Sequence, residues 1–189
     1  MIEIKDLNTS QIPYVINISD CELGEQYISK RALTHLIKEK GTAITRVALF
    51  DNEVSGFAIA YILNFKQLHN ILKNNIDQLP KEYRDINLQF GYIKSIIVQK
   101  GKQNIGIGKM LCNDLINELN KSGANAFIVT AWKKKGEIPA NKILQQSGLN
   151  VLCEIPEFWK DESISIKYKC PICGNPPCQC SAVIFGKID

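Results

Sequence analysis

The sequence has no long apolar run, no large surplus of one charge and no export leader, and each absence removes a class of protein. A membrane-spanning helix takes roughly 20 mostly apolar residues, and no stretch of this chain approaches that. The opening residues MIEIKDLN lack the basic-then-apolar form of a signal peptide, so the expectation is a cytoplasmic protein with no membrane partner. The formal net charge is +4 over 189 residues and the lysines are dispersed. Without a basic patch, that gives no ground for expecting nucleic acid as a partner. Two common phosphate-binding patterns are missing as well: Gly101 to Lys109 fits neither G-x-x-x-x-G-K-[ST] nor G-x-G-x-x-G.

What is present suits one globular domain over residues 1–189, since 45% of the chain is hydrophobic and 22% charged. Seven cysteines in a chain without an export signal do not predict disulfides. Their placement matters more than their number. Cys21, Cys112 and Cys153 are scattered, whereas Cys170, Cys173, Cys178 and Cys180 crowd into CPICGNPPCQC.

The hydrophobic period predicts the elements. IEIKDLN alternates as a strand, and Thr9 or Ser10 caps a helix carrying Ile12, Val15 and Ile16. Ser29 caps a second helix with Leu33, Leu36 and Ile37, ending near Gly41. TAITRVALF and VSGFAIAYIL form a hairpin around Asp51-Asn52-Glu53. Residues 64–86 hold a short helix (Leu68, Ile71, Leu72) and a polar loop around Pro80. Strand LQFGYIKSIIV, helix IGKMLCNDLINELN, strand AFIVTAW, helix PANKILQQS, strand NVLCEI and strand SAVIFGKI follow. The order indicates an α/β fold: a mixed, mostly antiparallel sheet with helices on both faces.

Gly106 and Gly108 sit where the fourth helix begins, although glycine weakens helices. A glycine turn there leaves amides pointing outward at the positive end of the helix dipole, which suits a phosphate. A plain tight turn fits the glycines equally well. The run Gln103-Asn104-Ile105-Gly106-Ile107-Gly108 resembles the acetyl-CoA motif Q/R-x-x-G-x-G/A of the GNAT superfamily of N-acetyltransferases. The strand order, and Ser147-Gly148-Leu149 closing a later helix, are similar to that family over residues 1 to about 159 and 181 to 189.

The resemblance implies a set of positions. Ile96, Ile97 and Val98 would pair by backbone with the pantetheine arm. Gly106, Ile107, Gly108 and Lys109 would offer amides to the pyrophosphate. The Ile96 amide would stand beside the thioester carbonyl, where an oxyanion needs a fixed donor. Tyr92, fourteen residues before Gly106, occupies the position of a base or of a tyrosine that relays through water. With a pKa near 10 it suits the relay role, and packing in the core is the other reading. Thr130 and Trp132 would flank the acceptor. Leu144 stands where the family often has a tyrosine that protonates the leaving thiolate, so the acid is unassigned. Lys133-Lys134-Lys135 form either a phosphate contact or a solvated loop.

The spacing C-x2-C-x4-C-x-C, opened by the zinc-knuckle turn Cys170-Pro171-Ile172-Cys173-Gly174, suits tetrahedral Zn²⁺ held by four thiolates. An iron–sulfur cluster is the competing reading. Four cysteines leave no open position, so the metal is structural. The insertion, at about 168–181, interrupts the connection between the last two strands and so is expected to lie there rather than in the main core, and Phe158 and Trp159 either wall the acceptor pocket or pack the knuckle down.

The function expected is an acetyl-CoA-dependent N-acetyltransferase, monomer or homodimer, in which a primary amine on a small molecule or peptide attacks the thioester directly in a ternary complex. The alternative is a catalytically weak CoA-binding module whose zinc knuckle recruits a protein or RNA.

Overall fold

The computed structural model describes residues 1–38, 41–73 and 75–189. In chain order its elements are strand β1 (Ile2–Asp6), helices α1 (Ile12–Glu22) and α2 (Lys30–Lys38), strands β2 (Ala43–Phe50) and β3 (Glu53–Leu63), and helix α3 (Phe65–Ile71). Strand β4 (Phe90–Val98), helix α4 (Ile107–Lys121), strand β5 (Ala126–Trp132), helix α5 (Asn141–Gln146), strand β6 (Asn150–Ile155), helix α6 (Lys160–Ile166) and strand β7 (Ala182–Ile188) follow. The strands form one sheet in the order β1-β2-β3-β4-β5-β7-β6. β4 and β5 run parallel, with α4 as the crossover. β7 enters between β5 and β6, antiparallel to both.

The sequence elements agree with these, with three differences. The first cap is Asn8, whose side chain accepts from the Ser10 amide at 3.0 Å while Gln11 returns a bond to the Asn8 amide, a capping box that opens a 3-10 turn ahead of α1. The loop around Pro80 is two 3-10 turns, and it buries Leu79 and Tyr83. The connection before β7 contains α6. The end of the second helix near Gly41 involves residues 39 and 40, outside the described residues.

Helices α4 and α5 cover one sheet face. Ile107, Leu111, Leu115 and Leu119 recur every four residues along α4 and are all buried, against Ala48, Ala58, Ala60 and Phe127. The alanines let the helix approach closely, so its leucines have little freedom to shift if one is cut back. Leu115→Ala is therefore expected to destabilise the protein by about 3 kcal/mol. Urea denaturation would measure it, and a loss below about 1 kcal/mol would mean the site collapses around the missing atoms. Arg46 on β2 adds polar ties on this side, binding Asp6 on β1 and, on α4, Asp114 at 2.8 Å and Glu118 at 3.1 Å. The opposite face carries α1 and α2 over β2 and β3, then α3, the 3-10 turns and the cysteine segment over β4, β5 and β7.

Candidate active site

β4 and β5 pair only from Phe90–Ala126 to Ile93–Val129, although β4 runs on to Val98 and β5 to Trp132. The break coincides with a bulge. Ile59 of β3 faces Ser95 while Ala60 faces Ile93, so Lys94 is an extra residue that bends β4. The strands then splay into a wedge lined by Ile96 and Ile97 on one side and Thr130 and Trp132 on the other. Gln99 donates to Ser55 O at 2.9 Å, and by strand alternation the Ile96 and Val98 amides face away from β3, toward the gap. An extended thioester arm could add there as a strand.

The glycine turn closes one end of this wedge. Gln103 Nε2 donates to Val98 O at 3.1 Å, so the motif's first residue braces the turn against the strand. Asn104 and Gly106 have φ of 64° and 98°. The left-handed backbone is what calls for glycine at 106, since a Cβ there would meet nothing within 4 Å. At Gly108 the reason is space: a Cβ would lie 3.0 Å from Ile143 Cδ1. Gly106 makes no side-chain cap, and Met110 is the first residue to donate back, to Gly106 O at 3.0 Å. The amides of Ile107, Gly108 and Lys109 ahead of it are left for solvent or an anion. Ile105 is exposed at the tip.

Tyr92 lies behind the wedge rather than in its wall. Its buried hydroxyl pairs with Thr130 Oγ1 at 2.8 Å, and its ring stacks on Tyr61. Burial raises its pKa, so the phenol keeps its proton and meets the cavity through Thr130. The other end of the wedge is aromatic: Tyr27, Trp159 and Tyr168, with Leu23 and Lys94. Tyr27 carries no signal in the sequence, since it follows α1 in a loop without period. Burial pushes its phenol far up and the Glu162 charge adds to this, while the Ser95 and Trp159 side chains act in the other direction. Leu144 is buried in the wall, and no lining residue among those described is acidic. Of the three lysines, Lys133 pairs with Glu154 at 2.7 Å and Lys134 lies over the Trp132 ring.

The four C-terminal cysteines converge. Their Sγ atoms lie within 4.8 Å of one another, with Cys173 and Cys170 at 3.4 and 3.7 Å from Cys180. A tetrahedral site with metal–sulfur bonds near 2.3 Å has sulfurs about 3.8 Å apart, so the set fits Zn²⁺. Amides are aimed at the sulfurs: Ile172 and Cys173 donate to Cys170 Sγ, and Gln179 to Cys173 Sγ, each at 3.4 Å. Burial pushes the Cys170 thiol up, but the Cys173 amide, the Tyr168 hydroxyl and the Ile172 amide reverse this and bring it to about 7. Burial then holds Cys178 at about 11, with the Cys170 charge adding to it, and raises Cys180 as well. One thiolate opposes the next. A cation is what would allow all four to ionise together.

The sequence places this segment outside the main core, and here the structure differs. Cys170, Cys178 and Cys180 are buried in the same cluster as Trp159, Tyr168 and Ile184. The Cys178 amide donates to Ser163 Oγ of α6 at 2.9 Å, and Phe158 N donates to Cys180 O at 3.1 Å. Lys169 N reaches Glu25 O, and a Cβ on Gly24 would overlap Lys169 O at 2.0 Å. Thus the segment is docked against the loop after α1 and fills the acceptor side of the wedge. Phe158 and Trp159, in edge contact, divide the two roles considered for them: Trp159 lines the cavity, and Phe158 packs in the cluster behind it.

A model of the acetyltransferase (GNAT) family matches residues 10–148. No curated protein matches the chain in sequence. Among solved structures, Arabidopsis thaliana NAA60 in complex with acetyl-CoA superposes with a TM-score of 0.73 at 14% identity, covering 100% of this chain and 98% of that one. The ribosomal-protein-S18-alanine N-acetyltransferase of Escherichia coli gives 0.64 at 16%, covering 100% and 94%. The NatC complex bound to Gag peptide and CoA gives 0.67 at 12%, covering 100% and 98%. At these identities the likeness is one of fold; it is the family match, over most of the chain and across the wedge and the glycine turn, that decides membership. The chain belongs to the GNAT family of acetyltransferases.

Proposed function

We propose that the protein is an acetyl-CoA-dependent N-acetyltransferase acting in a ternary complex, with a structural zinc site beside its acceptor cleft. The observation that carries this is the wedge with unpaired Ile96 and Val98 amides leading to the open amides of α4. Pantetheine would lie along Ile96, Ile97 and Val98, and the pyrophosphate on Gly106, Ile107, Gly108 and Lys109, with Gln103, Asn104 and Ile105 shaping the turn. The Ile96 amide would receive the oxyanion as the amine attacks. Gathering both reactants in one cleft supplies much of the acceleration.

The acceptor end favours an amine on an apolar body. A polyamine or aminoglycoside would bring several ammonium groups to a lining of Tyr27, Trp159 and Tyr168 in which, among the described residues, Lys94 is the one charged side chain. The Glu162 charge is felt at Tyr27, but Glu162 is not part of that lining, and unpaired buried cations are costly. A peptide N-terminus with a large apolar first residue suits it, and two of the fold neighbours described above are named for protein or peptide substrates. Peptides with free Met-Leu or Ser-Lys starts, phenethylamine and spermidine, each with acetyl-CoA and read by thiol release, test this. Turnover of the apolar-start peptide is expected; preference for spermidine would overturn the acceptor class, and no release with any amine the whole reading.

Tyr92 would pass the amine's proton outward through Thr130 rather than take it as a base, because its raised pKa keeps it protonated. Tyr92→Phe is expected to lower kcat about tenfold with acetyl-CoA affinity preserved. An unchanged rate across the pH range would leave it a core residue.

The four-cysteine cluster would hold one Zn²⁺, which supplies no open coordination position and therefore only cross-links the segment. Cys170, Cys173, Cys178 and Cys180 are its ligands.

A further inference from the structure

Trp132 touches two places that the function keeps apart. It ends β5 in the wall of the acceptor wedge. Its indole N–H is also buried, with no hydrogen-bond partner among the described residues. The ring packs against the buried cluster that holds the Cys180 sulfur. A buried donor left unmatched costs about 1–3 kcal/mol. A thiol answers such a donor poorly, and a thiolate answers it well, because charge on the acceptor roughly doubles the strength of the bond.

The juxtaposition is built into the sheet. Trp132 faces Ala182 in the β5–β7 ladder, two residues after Cys180, and Lys133 N donates to Ser181 O at 3.0 Å. The ladder therefore puts Trp132 and Cys180 on one sheet face as diagonal neighbours. Lys134 caps the outer face of the ring, so the indole has little room to turn elsewhere.

We propose that Trp132 is a positioning residue that joins the metal site to the acceptor cleft: with Zn²⁺ bound, its N–H donates to the Cys180 thiolate, and this bond fixes the indole as cleft wall. The inference rests on the zinc reading and goes beyond it, since a metal that only ordered the loop would be indifferent to the indole nitrogen. Partners that hydrogen-bond a metal's ligands typically change metal affinity or activity 10- to 100-fold.

Trp132→Phe keeps a ring in the wall and removes the donor. Zinc transfer from the purified protein to a colorimetric chelator is expected to become about tenfold faster. With Co²⁺ replacing zinc, the sulfur-to-cobalt charge-transfer band should move to longer wavelength, because a thiolate relieved of its donor gives up electrons more easily. A second measurement leaves Trp132 untouched. The chain has two tryptophans, so in Trp159→Phe the emission reports Trp132 alone, and removing zinc should shift it to the red as the indole loosens. Zinc present, with transfer rate, cobalt band and emission all unchanged, would overturn the coupling and leave the zinc reading standing. A wild-type protein that carries no metal would overturn both.

Discussion

Gly108→Asp is expected to weaken acetyl-CoA binding on the order of a hundredfold. In the proposed complex the helix N-terminus would offer amides and a positive dipole end to the pyrophosphate, and an aspartate in its first turn would put a like charge within about 5 Å of the phosphates. At an effective dielectric near 20 that repulsion is about 3 kcal/mol, which corresponds to about two decades of affinity. Crowding adds less, since the atom nearest to a new Cβ is Ile143 Cδ1, the free end of a flexible side chain. Gly108→Ala separates the two effects: it brings the crowding without the charge and should fall well short of the aspartate. The aspartate deficit should also shrink as salt is added, because screening acts on charge and not on contact. Calorimetry that finds equal affinity for wild type and Gly108→Asp would end the pyrophosphate assignment.

The second large effect concerns the metal. Purified protein is expected to carry about one zinc per chain, and Cys178→Ser to remove or greatly weaken it, since three thiolates no longer close the tetrahedron. Three of the four cysteines are buried among the aromatics beside the cleft, so losing the metal removes a cross-link from the core rather than from a tail. A fall in Tm on the order of 10 °C follows from a loss of only about 3–4 kcal/mol in a chain of this size. Acetyl-CoA affinity should hold far better than acceptor binding, because α4 packs on the opposite face of the sheet from the cysteines. Protein purified without chelator, free of zinc and with all four thiols open to titration, would contradict this.

Much of the fold was legible because the apolar positions keep period. The α4 face at Ile107, Leu111, Leu115 and Leu119, the hairpin at Asp51-Asn52 with both residues at positive φ, and the cysteine spacing all declare themselves locally. The glycine turn also declared its place. The wedge did not, because it depends on one extra residue, Lys94, opposite a strand that is 30 or so residues away in sequence; no local pattern marks a bulge of that kind. Tyr27 escaped for a related reason: its role comes from what folds over it. The buried cysteines were misplaced because a polar, proline-bearing connection reads as surface. What buries them is the aromatic cluster of Trp159 and Tyr168 together with the loop after α1. Trp132 and Cys180, 48 positions apart by subtraction, meet only because β7 lies beside β5.

That placement of β7 has a consequence for how the protein is made. Among the described residues β6 has no sheet partner other than β7, and β5 keeps an open edge until β7 arrives. Both ladders must therefore wait for residues 182–188 to leave the ribosome, long after β1 to β4 and α4 can have assembled. During that interval two apolar strand edges are exposed, a setting in which chains aggregate. A metal that gathers the four cysteines shortens the effective loop between β6 and β7 and lowers the entropy of closing it. Zinc supply during synthesis, and not only afterwards, is expected to set how much soluble protein a cell obtains.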